Sequence, residues 1–204
     1  MGKLNLLKGA FTGKVGEVVG AKWKDQNTVR TYTKPSNPNT PAQQTVRTVF
    51  GAMTSFTALF TDQIKYLTSL DTSGKSVRNA IVSLNKAQVR NGTFDKTTML
   101  INTGGLPNVT NVVVTANDGD TEMSVTFVKP QATNISEKAK LILVAVDEDN
   151  TVARVGEGLL STGTAKITGN LTAGDDYDLY YYVLDFRGSA RVGSKSGYQA
   201  VTVA

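Results

Sequence analysis

The chain has 204 residues, 40% of them hydrophobic and 19% charged, which is enough for one large or two small globular domains and excludes a disordered protein. It contains no Cys and no His, which excludes thiolate and imidazole catalysis, disulfides and the usual zinc sites. The net charge of +5 is unevenly divided, because residues 1–100 hold 14 Lys and Arg against 5 Asp and Glu, whereas residues 101–204 hold 8 against 12.

This charge asymmetry is typical of nucleic-acid contact or of head-to-tail packing of identical subunits, although two solvated surfaces of unequal charge explain it equally well. No apolar run approaches the roughly 18 residues of a membrane span. The first residues lack the apolar stretch and cleavage site of a secretory signal. We therefore expect a protein that is synthesised in the cytoplasm and has no membrane partner.

Residues 10–33 are expected to form a β-hairpin or a pair of short strands. Strand-favouring residues alternate there with glycines that interrupt them, and the turn is expected at Lys24-Asp25-Gln26-Asn27. The strand-favouring residues are Val15, Val18, Val19, Trp23, Val29 and Tyr32.

A proline-rich arm, Lys34–Arg47, joins this hairpin to a helix. Three of the five prolines of the chain stand in it, and each fixes φ at about −65° and favours extended geometry in the residue before it. Thr40 suits the N-cap position, Pro41 suits the first helical position, and Gln43 completes the spacing of a capping box. The arm is therefore interpreted as a stiff, extended segment that ends at a defined helix start.

Two amphipathic helices are predicted after the arm, because apolar residues recur there at every third or fourth position. The first runs to about Leu67 and the second covers about Lys75–Val89. Both apolar stripes are expected to pack on each other and on the hairpin; a partner-binding groove is the alternative. The stripe of the first helix comprises Val46, Val49, Phe50, Met53, Phe56, Phe60, Ile64 and Leu67.

From about Leu106 the pattern changes to short alternating runs separated by turn residues, which indicates about seven strands. Seven short strands at this spacing are typical of an immunoglobulin-like or fibronectin-like sandwich. The predicted fold is α+β, with an N-terminal β-hairpin plus two-helix unit in residues 1–104 and an acidic Ig/fibronectin-like β-sandwich in residues 105–204. The candidate strands are Val112–Thr115, Met123–Val128, Lys140–Val146, Thr151–Val155, Thr164–Thr168, Tyr177–Phe186 and Tyr198–Val203.

Two acidic turns, Asp147-Glu148-Asp149-Asn150 and Asp175-Asp176-Tyr177-Asp178, are the candidate ligands of a metal ion. If both turns lie at the same end of the sandwich, they could supply several oxygen ligands for Ca²⁺. Neither matches the calcium loop of EF-hand proteins, and solvated turns are the simpler interpretation. A carboxylate pair for glycoside hydrolysis would need a cleft that the sequence does not indicate. We therefore predict no catalytic residue, no metal site and no cofactor.

Tyr180 and Tyr182 share one face of a predicted strand, because side chains alternate along a strand. If exposed, they could stack on sugars or bases or lie in a subunit interface. The alternative is a central strand with both faces covered.

Basic residues also surround the aromatic residues Trp23 and Tyr32. They could grip a phosphate backbone or pack against a neighbouring acidic domain. No motif of a nucleic-acid-binding fold accompanies them, and no Gly-Lys-Ser/Thr follows the glycines, so no nucleic-acid partner is expected. The basic residues are Lys14, Lys22, Lys24, Arg30 and Lys34.

Three motifs follow one another along the chain. They are Gly13-Lys14-Val15-Gly16-x-Val18-Val19-Gly20-x-x-Trp23 with Val29-Arg30, then Asn37-Pro38-x-Thr40-x-Ala42-Gln43-x-x-x-Arg47 with Phe50, and finally Tyr180–Phe186 with Gly188 and Ser194-x-Ser196-x-Tyr198. In this combination, which covers most of its length, the chain resembles an uncharacterised family of proteins of similar length from Bacteroidota genomes and from phages and prophages. The arm is the specific part, and similar arms occur in other phage-encoded proteins. The resemblance brings no established activity and transfers no functional residue.

We therefore expect a non-enzymatic structural subunit of a bacteriophage or prophage virion, either capsid-decorating or tail-associated. The alternative is a bacterial polyanion- or carbohydrate-binding module. The expected partners are copies of the same chain and other virion proteins. The residues expected at interfaces are Trp23, Arg30, Lys34, Asn37, Pro38, Thr40, Gln43 and Arg47, with Tyr180 and Tyr182 as surface aromatics.

Overall fold

The computed structural model describes residues 3–5, 10–23, 26–34, 36–132 and 134–204, which contain twelve strands and three helices. The chain forms two compact units, residues 1–40 and residues 41–204. This division differs from the one at residue 104 inferred from the change in residue pattern. The reason is that the helices share an apolar core with strands of the sandwich.

The first unit contains an antiparallel sheet in the order β1-β2-β3-β4, which includes the expected hairpin and extends it. Val15 pairs with Val18, and Gly16 in the turn between them has a φ of 59°. Glycine adopts this left-handed conformation without steric cost, which explains its place in a two-residue turn. The predicted turn at residues 24–27 lies partly outside the described residues. The strands are β1 (Lys3–Asn5), β2 (Ala10–Val15), β3 (Val18–Trp23) and β4 (Gln26–Thr31).

The helices of the second unit are α1 (Pro41–Thr61), α2 (Val77–Leu84) and α3 (Lys86–Asn91). Helix α1 begins at Pro41, as the arm predicts. It ends at Thr61, before the predicted end, but Ile64 in the following turn remains buried. The apolar stripe therefore continues beyond the regular helix.

The second predicted helix is broken at Asn85, between α2 and α3. The buried Asn85 amide donates to the carbonyls of Ile81 (2.9 Å) and Leu100 (2.7 Å), and its oxygen accepts from the Leu100 N–H (2.8 Å). Side chains of this type compete with the helical hydrogen bonds of the backbone. Asn85 thus ends α2 and ties the segment after α3 back onto the helices.

The remaining strands form one antiparallel sheet that folds over on itself. Its order is β11-β10-β7-β8-β9-β6-β5, with β12 also beside β10. In the described register β8 and β9 are joined by the pair Glu157–Lys166, so the sheet bends there and its two halves face each other. This arrangement confirms the Ig/fibronectin-like sandwich. The strands are β5 (Thr110–Thr115), β6 (Glu122–Val128), β7 (Lys140–Asp147), β8 (Ala153–Leu159), β9 (Thr164–Thr168), β10 (Asp176–Arg187), β11 (Ala190–Gly193) and β12 (Gly197–Thr202).

The two faces of β7 and β10 belong to two different apolar cores. Inward-facing residues such as Leu143 and Leu179 pack between the two halves of the sheet. Outward-facing residues such as Val144 and Tyr180 pack against α1 and the segment after α3. Because helices, near strands and far strands form successive layers, residues 41–204 are one folded unit.

A buried polar cluster fastens the loop after residue 100 to the irregular edge of the sheet between β11 and β12. The Asn102 oxygen accepts from the Thr68 hydroxyl (2.9 Å) and the Ser69 N–H (3.0 Å), and its amide donates to the Ser194 carbonyl (2.9 Å). The Ser196 hydroxyl accepts from the N–H of Ile101 (3.0 Å). The Ser194 hydroxyl accepts from the Val183 N–H of β10 (2.9 Å), so both serine side chains of the Ser194-x-Ser196 motif bond backbone N–H groups and have a structural role.

Candidate functional site

The residues predicted at an interface lie in β3, in β4, in the segment between β4 and α1, and in α1. Arg30 belongs to β4, Asn39 in the segment before α1 has a φ of 50°, and Arg47 lies in the second turn of α1. Those whose side chains are described are exposed, whereas the side chain of Trp23 lies outside the described residues. Their role at an interface remains a prediction. They are Trp23, Arg30, Lys34, Asn37, Pro38, Thr40, Gln43 and Arg47.

One face of the N-terminal sheet carries three exposed valines. The register places Val15 opposite Val18, and Val29 opposite Gly20, which is two residues beyond Val18 on β3. Side chains two residues apart share a face, so the three valines lie together. Their exposed fractions are 52% for Val15, 38% for Val18 and 62% for Val29. This face is apolar and stands in water in the single chain.

The other face of the same sheet is basic. Lys14 and Arg30 lie on either side of Val19 in the register, so all three share this face. The Lys14 ammonium lies 3.6 Å from the centre of the Tyr32 ring, which is cation–π geometry. The predicted grouping of basic and aromatic residues is therefore present for Lys14 and Tyr32, and the three valines lie on the opposite face, which also carries Lys22.

Helix α1 also has an exposed apolar end. Val49 and the stripe residues from Met53 to Ile64 are buried, but Val46 is 40% exposed and Phe50 is 47% exposed. The apolar stripe of α1 is therefore longer than the part of the helix that the fold of residues 41–204 buries.

Tyr180 and Tyr182 were predicted as surface aromatics, and this prediction is wrong. Both are fully buried, because α1 and the segments that follow the helices cover this face of β10. The Tyr180 hydroxyl donates to the Lys96 carbonyl (2.9 Å) and the Tyr182 hydroxyl to the Leu67 carbonyl (2.5 Å). Burial raises the pKa of both phenols far above the ordinary value. The alternative prediction, a central strand with both faces covered, is correct for Tyr180 and Tyr182.

The two acidic turns meet at one end of the sandwich, as the calcium hypothesis required. The Glu148 N–H donates to the Asp176 carbonyl (3.0 Å), and carboxylates of both turns line a cavity of about 370 Å³. Within the described residues, however, no group of three or more acidic side chains is arranged to hold a metal ion. The lining carboxylates are those of Asp147, Glu148, Asp149, Asp175 and Asp176.

The Asp147 carboxylate is occupied by its own turn. It accepts from the N–H groups of Thr151 (2.7 Å) and Val152 (2.9 Å) and from the Thr151 hydroxyl. Partial burial raises the pKa of the Asp147 carboxyl, but these hydrogen bonds outweigh it and hold the pKa below its ordinary value. Asp147 therefore closes the β7–β8 turn, and Glu148 and Asp149 are the exposed charges of that turn.

A neighbouring groove of about 660 Å³ lies between β12 and the segment around residue 95. Asp178 accepts from the Tyr198 hydroxyl (2.7 Å) and pairs with the Lys96 ammonium (2.9 Å). Burial and the bond to Asp178 raise the pKa of Tyr198 to about 12, so its hydroxyl remains a donor at neutral pH. These groups hold one another in place.

A second groove, which the sequence did not indicate, is lined by cations. Lys65, Lys75, Arg78 and Arg191 surround a volume of about 610 Å³, together with Asp62. These residues are distant in sequence and follow no motif. The adjacent Lys65-Tyr66 pair is the one local pattern in the sequence that could have indicated this groove, and such pairs are too common to be informative.

Comparisons with known proteins are limited to weak structural similarity. No family model and no curated protein matches the chain. A family 76 glycoside hydrolase from a bovine Bacteroides thetaiotaomicron strain matches 48% of this chain and 20% of its own length, at 14% identity and a TM-score of 0.36. The fn3 domain of human collagen alpha-1(XX) matches 50% of this chain and 86% of its own length, at 13% identity and a TM-score of 0.32. No helix in the described part of the chain is long and apolar enough to cross a membrane.

Proposed function

We propose that this protein is a non-enzymatic structural subunit that assembles with copies of itself through its N-terminal sheet. The observation that carries the proposal is the exposed face of Val15, Val18 and Val29. Contiguous apolar surface of this kind marks interaction sites, because leaving it in water is unfavourable.

The size of the N-terminal unit supports the same conclusion. Chains below about 40 residues usually need disulfides, metals or oligomerisation to fold stably. This unit comprises residues 1–40, and the protein has no Cys. Among the residues of the unit whose burial is described, only Gly20 is buried, and glycine has no side chain to form a core. An additional apolar surface is therefore needed, and a second copy supplies an identical one.

A face-to-face contact between two copies is electrostatically acceptable. Lys14 and Arg30 lie on the opposite face, and Lys22 is at the end of the apolar face, beyond the valines. A fully buried valine contributes about 1.5–3 kcal/mol relative to an exposed one, so the valines of two copies represent several kcal/mol of association free energy. A contact of this kind is isologous, with the same patch on both partners.

We further propose that the assembly belongs to a bacteriophage or prophage virion, as a capsid-decorating or tail-associated component with other virion proteins as partners. The support is the resemblance of the Asn37–Arg47 arm, whose described side chains are exposed. Burial of Tyr180 and Tyr182 removes the aromatic face on which the carbohydrate-binding alternative depended. The expected location is therefore the virion, and mass spectrometry of purified particles should detect the protein there.

The assembly is tested by sedimentation velocity at micromolar concentrations. We expect the unaltered chain to form oligomers and the variant Val15→Lys/Val29→Lys to be a monomer, because four charges would meet in a two-copy contact. The control Thr12→Lys/Gln26→Lys adds the same charge to the opposite face, where both residues are exposed. A monomeric unaltered chain, or equal effects of both variants, would contradict the proposal.

A further inference from the structure

The cation-lined groove lies between the segment after α1, the start of α2 and strand β11. Its lining contains Lys65, Lys75, Arg78 and Arg191 against a single carboxylate, that of Asp62. Within the described part of the chain, none of these four cations has a carboxylate oxygen within the 4.0 Å of an ion pair. The lining of the groove therefore carries net positive charge, although Lys75 also interacts electrostatically with Asp71.

One of the cations is also incompletely satisfied. The Nε atom of Arg78 is buried and has no hydrogen-bond partner. A buried donor of this kind is normally paired, and the planar guanidinium group matches oxyanions such as carboxylate and phosphate. Arg78 thus indicates an oxyanion ligand at this groove.

Tyr66 organises the rim of the groove. Its ring is 66% exposed, and it lies 5.5 Å from the Lys65 ammonium and 6.0 Å from the Arg191 guanidinium. Two cations from distant parts of the chain are thereby held beside the same aromatic ring.

The acidic end of the sandwich lies at the other end of strand β10. Arg191 pairs with Phe186 near the end of β10, whereas Asp176 is its first residue. Ten residues of strand separate these positions by about 33 Å, at roughly 3.3 Å per residue. Five carboxylates line the cavity at the acidic end, together with Arg154. Residues 41–204 therefore carry opposite charges at opposite ends of one strand.

We infer that the cation-lined groove binds the acidic β7–β8 turn of a second copy of this chain. Charge complementarity favours this occupant. Glu148 and Asp149 of the turn are exposed, and four cations line the groove. Since donor and acceptor surfaces are different and lie at opposite ends, the contact is heterologous and links copies head to tail.

This inference rests on the proposed function in that both involve copies of the same chain, but it uses different residues. The valine face forms a contact between identical patches, and the groove forms one between unlike patches. The two contacts can therefore be removed separately.

The test mixes two variants, both in the Val15→Lys/Val29→Lys background. Lys75→Glu/Arg191→Glu reverses the charge of the groove, and Glu148→Gln/Asp149→Asn neutralises the turn, so the altered groove and the altered turn do not attract each other. Neither variant should associate alone, but the mixture retains one intact groove and one intact turn, so we expect a 1:1 heterodimer in sedimentation equilibrium. Its dissociation constant should rise at least about tenfold between 50 and 500 mM NaCl, because salt screens exposed charges.

Lys86→Glu/Lys138→Glu is the matched control, since it makes the same change in net charge at exposed residues outside the groove. It should retain the head-to-tail association of its background. A mixture that stays monomeric, or a control that loses association equally, overturns the inference and leaves the valine contact untouched. Binding of a labelled oligothymidylate that Lys75→Glu/Arg191→Glu abolishes, without heterodimer formation, would instead assign the groove to a phosphate backbone.

Discussion

Asp185 shows how a single residue can connect distant segments of this fold. It is a fully buried carboxylate on β10, and its oxygens accept from the Ser136 N–H (3.3 Å), the Ser136 hydroxyl and the Arg187 Nε (3.0 Å). Arg187 also donates to the carbonyl of Asn134. Buried carboxylates are rare unless they are paired in this way. The pair therefore holds the turn before β7 against the end of β10.

The stability contribution of Asp185 should depend on pH. Burial raises the pKa of its carboxyl, but the bonds from Ser136 and Arg187 outweigh it, so the pKa in the folded state lies below the ordinary value. Because the pKa is lower in the folded state, the ionised carboxylate stabilises the fold at pH values above the unfolded-state pKa of about 3.9. This contribution is lost as the pH falls through the folded-state pKa. We expect Asp185→Asn to lower the melting temperature clearly at pH 7 and much less at pH 3. Equal losses at both pH values in thermal melts would contradict this role.

At the scale of elements, helix α1 is covered along its second half and only partly covered along its first half. Its second half packs Phe56 and Phe60 on the outer face of β7 and β10, where Phe56 meets Tyr180 edge to face at 6.1 Å between ring centres. Its first half leaves Val46 and Phe50 exposed. One amphipathic stripe is therefore buried in the core at one end and partly exposed at the other.

Two phenylalanines of α1 test this division. Phe60→Ala should lower the free energy of unfolding by about 3–5 kcal/mol, because it leaves a cavity in a core where Phe60 is 0% exposed. Phe50→Ala removes the same side chain from a 47% exposed site and should cost less than about 1 kcal/mol. Urea denaturation followed by circular dichroism, in the Val15→Lys/Val29→Lys background, measures both. Similar losses for the two variants would show that the first half of α1 is also covered in the single chain.

At the scale of the whole molecule, the two units differ in what stabilises them. Both apolar clusters consist of residues after position 41, including Phe60 in one and Leu143 in the other. No described residue of the N-terminal unit belongs to either cluster. The second unit should therefore fold by itself, whereas the first depends on additional contacts.

A fragment of residues 41–204 tests this independence. We expect it to keep a cooperative thermal transition within a few degrees of that of the full chain, because it retains all members of both clusters. It should also lose the association that the valine face provides. A fragment that lacks a cooperative transition, measured by circular dichroism, would show that the first unit completes the core.

Local patterns predicted many elements of this fold. The start of α1 at Pro41 follows from proline and capping chemistry, and the alternating runs of the second half predicted its sandwich strands. The break at Asn85 was not predictable, because it depends on a bond to Leu100 that only the folded chain brings within reach.

The amino-acid sequence by itself determined the periodicities: the strands, the helix start, the apolar stripe and the shared face of Tyr180 and Tyr182. Tertiary structure decided whether each face is covered, and here α1 covers the tyrosines while Phe50 remains exposed. It also decided that Arg78 and Arg191 line one groove. The physical reason is that periodicity arises from the local geometry of the backbone, whereas burial and the meeting of distant residues depend on which elements pack together.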